Sequence, residues 1–248
     1  MPPVYAGRML RNLFSRKTAP ETEGDDGDMP SVHRAKLCRQ VSAKLARNPL
    51  VTRIESPQVE IYARRDFLTH EECAQLCAII DRNAQPSKLF SGTQGPEYRT
   101  SYSAHMGDDD AIVDELNGRI SAMMGIAPEN GEPIQGQRYI KGQEYRPHCD
   151  YFPVHYDFWE QQKRQGGQRC WTAMIYLSDV ASGGETSFVN AGFKVPPVIG
   201  TVIIWNNLLP DGSPNPDTQH CAKPVEDGVK YIVTKWYRER AWVPKAAL

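Results

Sequence analysis

The chain is expected to fold as an α+β domain with a double-stranded β-helix (jelly roll) core and flanking N-terminal helices. Three observations lead there. Helical patterns with good caps occupy the first half. From Gln135 the pattern turns to short β segments, and these are separated by clusters of Gly, Pro, Asn and Asp. Helices followed by a run of strands indicate α+β. Six or more short strands suit a double-sheet jelly roll, which leaves a pocket between its sheets.

The elements follow in order. The first twenty residues carry Arg8, Arg11, Arg16 and Lys17 and no acid, without the apolar core and cleavage site of a secretory signal. Residues 19–31 are acidic and poor in apolar side chains. Together, 1–31 read as a flexible tail, basic and then acidic. Residues 32–50 read as an amphipathic helix, with Val32, Leu37, Val41 and Leu45 at helical spacing. Residues 51–248 form the main domain. In it, 59–63 read as a strand. Thr69 caps a helix that runs to about Arg82, with Glu71 and Glu72 in its first turn. Residues 88–95 look like a loop, and Asp108 to Asp110 precede a second helix ending near Met124. The strands expected are 135–140, 169–178, 185–189, 198–205, 220–225 and 229–238. Residues 161–168 look like part of an insertion loop. Asp227-Gly228 is a strong hairpin signal.

At 248 residues, 40% of them hydrophobic, the chain can bury a sizeable core. A formal net charge of −1 gives no electrostatic footprint for nucleic acid or an anionic membrane. No apolar run is long enough for a membrane span. Six cysteines at these spacings are not a disulfide scaffold. Reduced thiols without a secretory signal favour the cytoplasm.

His148-Cys149-Asp150 carries the chemistry. Side chains two apart on a strand share a face, so His148 and Asp150 can point the same way, and Cys149 the other. His220 can complete a set of two imidazoles and one carboxylate. Such a set holds one face of a divalent metal and leaves other positions open, as in non-haem Fe(II) oxygenases. Lys230 is the right kind of group to hold the far carboxylate of an organic co-substrate. Metal plus cation points to Fe(II) and 2-oxoglutarate. His155-Tyr156-Asp157 is a rival pair. The first is preferred because it follows the strand-like stretch 137–145, whereas the second sits beyond Pro153 near Phe158, Trp159 and Glu160. If a two-residue loop joined strands 220–225 and 229–238, His220 and Lys230 would face opposite ways. A three-residue loop from Asp227 to Val229, or a bulge, is therefore expected. Trp236 shares parity with Lys230 and is expected to face the pocket.

Four ordered blocks extend the argument. Tyr139, Gln143, Tyr145, His148 and Asp150 belong to the first. Gly167-Gln168-Arg169, with Tyr176 to Val180, and Gly183-Gly184-Glu185-Thr186 make the second and third. Gly200-Thr201, Trp205 to Gly212, His220, Pro224-Val225, Gly228, Lys230 and Lys235-Trp236 make the fourth. Spanning roughly 59–240, they resemble the prolyl 4-hydroxylase family in its compact, single-domain microbial, viral and algal type. The resemblance implies that His148, Asp150 and His220 ligate iron. It implies that Lys230 pairs with 2-oxoglutarate, with hydrogen bonds from Tyr139 and Thr186. Tyr145, Arg169 and Trp236 fall where that family lines its peptide groove. Fe(II), 2-oxoglutarate, O2 and L-ascorbate would be the cofactors, and a proline-containing peptide or protein the partner. Other readings keep the chemistry and change the substrate to a lysyl residue, a free amino acid or a nucleic-acid base. The last would anchor 2-oxoglutarate on an arginine such as Arg238 or Arg240. An inactive metal-binding interaction module is the reading from another class.

Overall fold

The computed structural model describes residues 27–89, 95–107 and 110–244. Residues 1–26 of the tail expected at 1–31, most of the loop expected at 88–95 and the start expected for the second helix lie outside the described residues. In chain order, α1 (Val32–Ala46) is followed by β1 (Thr52–Ile54), β2 (Ile61–Arg64), α2 (His70–Asn83), β3 (Gln85–Pro86), β4 (Tyr102–His105), α3 (Ala111–Met124), β5 (Gln135–Tyr139) and β6 (Tyr145–His148). Then come α4 (Trp159–Arg164), β7 (Arg169–Tyr176), β8 (Ser182–Gly183), β9 (Thr186–Phe188), β10 (Phe193–Val195) and β11 (Val202–Asn206). The last strands are β12 (His220–Ala222), β13 (Val225–Asp227) and β14 (Lys230–Arg238).

An eight-stranded antiparallel sheet runs β1-β2-β11-β7-β14-β5-β4-β3, and a four-stranded sheet runs β10-β9-β12-β6. The central strands of the large sheet are buried on both faces, so each alternates between two cores. Trp171, Ala173, Ile175, Ile204, Val233 and Tyr237 face α1, α2 and α3. Met174, Tyr176, Ile203, Trp205 and Ile232 turn the other way and pack with Phe188 and Ala222 of the small sheet. This is the jelly roll with helices on its outer face. The helices are fixed by local chemistry as well. The Thr69 hydroxyl accepts from the Glu72 N–H, and the Glu72 carboxylate accepts from the Thr69 N–H, a capping box that starts α2. α2 lies so close to β5 that a Cβ on Gly136 would come within 2.5 Å of Ile80.

Four expectations need correcting. In α1, Val32 is 85% exposed; the buried face is Arg34, Ala35, Cys38, Val41 and Leu45. The insertion contains α4, with Trp159 and Gln162 buried. The strand-like stretch 137–145 is two strands in different sheets, broken by a turn with Gly142 at φ 81°. Most consequentially, Asp227-Gly228 does not close a hairpin of β13 on β14. β13 pairs with β8, while β14 lies between β7 and β5. The chain changes sheets at this turn. His220 and Lys230 therefore approach the pocket from opposite sheets, and no register rule links them.

Candidate metal centre and its pocket

β6 and β12 bring the two histidines face to face, His220 directly opposite His148. Their ring centroids are 4.3 Å apart. The register holds three steps on β6 against two on β12 between His148 and Tyr145, which marks a bulge at Arg146 and Pro147. The bulge puts Tyr145 and His148 on one face despite their odd spacing, and their rings stack at 3.5 Å. Asp150 lies past the end of β6, so strand alternation does not aim it. It is held instead by the Thr172 hydroxyl, which donates to Oδ2 at 2.7 Å. Thr172 in turn accepts from the Asn207 amide at 2.9 Å.

The ring tautomers follow from the partners. Nδ1 of His148 lies 2.9 Å from the Arg146 carbonyl, and Nδ1 of His220 lies 2.9 Å from the Thr218 carbonyl. A carbonyl only accepts, so each Nδ1 carries a proton, and Nε2 is the ring atom left to face a ligand. Both Nε2 atoms turn to Asp150, at 4.0 Å from Oδ1 and 3.9 Å from Oδ2. Ligand atoms of the three residues all lie within 4.8 Å of one another, the spacing that one ion between them would need. Burial, with His220 adding to it, pushes the His148 imidazole down to about 3, so it stays neutral. Burial alone would raise the Asp150 carboxyl, but His220, His148, Arg169 and the Thr172 hydroxyl together hold it below the usual range. Two imidazoles that turn Nε2 to one shared carboxylate are the donor types of a facial metal site. The rival His155 and Asp157 are exposed, and His155 packs on Tyr156 instead.

The triad lines a cavity of about 810 Å³ between the sheets. Lys230 lines it too, 1% exposed, and its Nζ has no hydrogen-bond partner among the described residues. The ammonium sits 5.4 Å above the Tyr139 ring and 5.6 Å above the Tyr176 ring. Burial pushes it down to about 7, against smaller upward pulls from Cys221 and Glu185. Thr186 lines the same region and accepts from the Tyr176 hydroxyl at 2.8 Å. Along β14, Lys230, Ile232, Thr234 and Trp236 all line the cavity, as period two requires. The six steps from Lys230 to Trp236 span about 20 Å of strand.

At the far end, Arg169 stacks over Trp236 at 4.1 Å and over Phe152 at 4.6 Å. A bulge between Tyr237 and Arg238 in the β7–β14 pairing skips one residue of β7 at Cys170. It moves Arg169 from the helix-facing set of Trp171 to the cavity side. Glu132 grips Arg169 through two bonds, at 2.5 and 2.7 Å, and also accepts from Arg238 Nε at 2.5 Å. Arg238 Nη1 donates to the Gly167 carbonyl and Nη2 to the Gln162 side chain. Arg238 is thus committed to the fold and is a poor anchor for a small dianion. Tyr145 is covered by Arg99 at 4.7 Å on top of its stack with His148, so it buttresses a ring of the triad.

Sequence reasoning missed Thr172, Tyr176, Asn207, Glu132 and Arg99 in these roles. Thr172 and Tyr176 were within reach, since period two along β7 puts both on the face of Met174, and their hydroxyls stand out there. Glu132 and Arg99 come from irregular segments and carry no local signal.

Comparison with known proteins follows the same lines. Residues 134–238 match the 2OG-Fe(II) oxygenase superfamily. The chain is 35% identical over 205 residues to probable prolyl 4-hydroxylase 8 of Arabidopsis thaliana, over 73% of this chain and 68% of that protein. It is 35% identical over 193 residues to prolyl 4-hydroxylase subunit alpha-3 of Rattus norvegicus, over 74% of this chain and 34% of the other. Among solved structures, the viral collagen prolyl hydroxylase of Paramecium bursaria Chlorella virus-1, in its 2OG complex, matches with a TM-score of 0.57 and 26% identity. That match covers 72% of this chain and 95% of the viral one.

Proposed function

We propose a substrate and a division of labour from one premise: this chain belongs to the prolyl 4-hydroxylase family and is an Fe(II)- and 2-oxoglutarate-dependent dioxygenase. The substrate in this reading is a proline within an extended peptide. The observation that carries it is the pairing, on one strand, of a buried unpartnered ammonium at Lys230 with the Arg169–Trp236 stack at the other end of the pocket.

The residues fit the groups the family uses. His148 and His220 offer Nε2 lone pairs and Asp150 an ionised carboxylate, the donors that Fe(II) takes in a facial triad. The orphaned Lys230 ammonium is suited to the distal carboxylate of 2-oxoglutarate, and Thr186 with Tyr176 adds hydroxyls nearby. When bound, iron, 2-oxoglutarate and O2 supply the oxidation, in which the co-substrate is split to succinate and CO2 and a substrate C–H becomes C–OH. The protein's own contribution is placement. Tyr145 fixes the His148 ring by stacking, Thr172 fixes the Asp150 carboxylate, and Trp205 meets the His220 ring edge-on at 4.9 Å. Tyr139 and Tyr176, whose rings lie under the ammonium, wall the Lys230 end from water. At the other end, Trp236 offers an apolar face, and the charge of Arg169 is steered by Glu132 toward peptide carbonyls. Proline-rich peptides favour polyproline II, with exposed carbonyls and a low ordering cost, which suits such a groove.

The reading includes L-ascorbate as the reductant that sustains turnover. It places the enzyme in the cytoplasm, where the free thiols of all six cysteines would persist. Among the described residues no helix is long and apolar enough to cross a membrane. The test is succinate release in parallel reactions with a short proline-rich peptide, free proline, free lysine and methylated DNA. The peptide alone should stimulate it. Turnover on a free amino acid or DNA with none on peptide would overturn the substrate assignment.

A further inference from the structure

We infer that the N-terminal segment from Gly27 through α1 is a positioning element for the peptide end of the pocket, acting through Gln168. The inference rests on the peptide reading above for its substrate and on two physical connections for its geometry.

The first connection is the Gln168 side chain, which is fully buried. A primary amide can donate two hydrogen bonds and accept two. Here all four are made. Oε1 accepts from the Phe152 N–H at 2.6 Å and the Arg169 N–H at 3.1 Å. Nε2 donates to the Phe152 carbonyl at 2.9 Å and the Gly27 carbonyl at 3.2 Å. Gln168 thus grips both polar groups of Phe152, as a neighbouring strand would. The Phe152 ring carries two guanidinium groups against it, Arg169 at 4.6 Å and Arg238 at 4.4 Å from its centre. Asp150 is two residues upstream, and Arg169 reaches its carbonyl at 3.5 Å. One amide therefore ties the segment after the metal site, the start of β7 and the N-terminal segment together. Gly27 is seated by shape. Its φ is +73°, and a Cβ there would come within 2.2 Å of the Trp159 ring at the start of α4.

The second connection runs through α1. Arg34 is fully buried, an unusual place for a charge unless every donor is used. Its Nε donates to the Gly212 carbonyl at 2.7 Å, Nη2 to the Met29 carbonyl, and Nη1 to Glu239 Oε2 at 3.3 Å. The other oxygen of Glu239 accepts from the Gln168 backbone N–H at 3.0 Å. The N-terminal segment therefore holds Gln168 at both its side chain and its backbone. Loosening it frees Phe152 and Arg169 while leaving Lys230, about 20 Å along β14, in place.

The test uses the full chain, loaded with Fe(II), and two variants outside the metal and co-substrate sites. Gly27→Ala pushes the segment off Trp159 and removes no polar group; Gln168→Met deletes all four hydrogen bonds at similar volume. Three readouts are taken: KM for a proline-rich peptide, KM for 2-oxoglutarate, and amide hydrogen exchange of the segments holding Phe152 and Arg169. Both variants should raise peptide KM by about tenfold or more, leave the 2-oxoglutarate KM within about twofold, and speed exchange at both segments. An unchanged peptide KM, or a 2-oxoglutarate KM that rises in step with it, would overturn the inference. If Gln168→Met does not fold, Gly27→Ala decides. If the unmodified enzyme shows no peptide-dependent turnover, the substrate reading has failed and exchange decides the coupling alone: faster exchange sustains it, and unchanged exchange sinks it.

Discussion

Lys230 offers the deepest test of the site, because its charge state is tied to its role. Unliganded, its ammonium is buried without a hydrogen-bond partner, and its proton is lost near pH 7 in place of the ordinary 10.5. A carboxylate arriving at Nζ restores the reason to keep that proton. Binding of 2-oxoglutarate well above pH 7, at about pH 8.5, should therefore draw in close to one proton per molecule bound. Apparent affinity should fall by about tenfold per pH unit over the same range. Replacing Lys230 by methionine keeps the stem's bulk and removes the charge. The lost charge-assisted bond, about 1.5–3 kcal/mol, should weaken binding by about 10- to 150-fold. The assay is anaerobic calorimetry on the Fe(II)-loaded protein, in buffers of different protonation enthalpy. The wild type should show proton uptake at about pH 8.5 and Lys230→Met none. An unchanged affinity in the variant, or no uptake in the wild type, would refute the reasoning. The sign carries over to stability. Between about pH 7 and 10.5 the unfolded chain holds a proton at this lysine that the unliganded fold does not, so the unliganded fold gains stability as pH rises through that window.

The remaining predictions concern the metal and peptide ends. Alanine at His148, Asp150 or His220 should abolish turnover and tight Fe(II) binding, while His155→Ala should leave both near wild type; the reverse pattern in a metal titration would move the site. Thr172→Val keeps the volume but removes the donor to Asp150, so iron affinity should fall by about 10- to 100-fold, read by competition with a chelator. Trp236→Ala should raise the peptide KM well above any change in the 2-oxoglutarate KM, and equal effects on both would argue against a peptide role. Glu132→Gln leaves buried Arg238 and half-buried Arg169 without their shared carboxylate. It should cost about 3–5 kcal/mol in urea denaturation, and a loss under about 1 kcal/mol would mean that Arg169 and Arg238 find other partners.

Much of this architecture was legible in the residues. The Thr69 cap with its glutamates marked α2, and period two along 169–178 and 229–238 marked the two central strands. The triad was legible as a candidate because its residue types are rare in combination; His148, Asp150 and His220 lie together in space. What escaped was set by tertiary structure. Asp227-Gly228 has the chemistry of a hairpin turn, yet β14 finds better partners in β5 and β7, so the turn serves to change sheets. The bulges at Arg146–Pro147 and Cys170 reverse parity, and no local pattern announces them; without them Tyr145 and Arg169 would face the wrong way. The charges of buried Arg34 and half-buried Glu132 likewise depend on partners far along the chain. Alternation could therefore place Lys230 and Trp236 but not Asp150, which sits beyond its strand and depends on Thr172.

The central claim is that this pocket puts oxygen on a proline held within a peptide. Its most direct test is tandem mass spectrometry of a proline-rich peptide after incubation with the enzyme, Fe(II), 2-oxoglutarate, ascorbate and isotopically labelled O2. The account predicts one labelled oxygen on a proline ring, formed in step with succinate and absent with His148→Ala. Succinate formed while the peptide stays unmodified, or label on any residue other than proline, would contradict it.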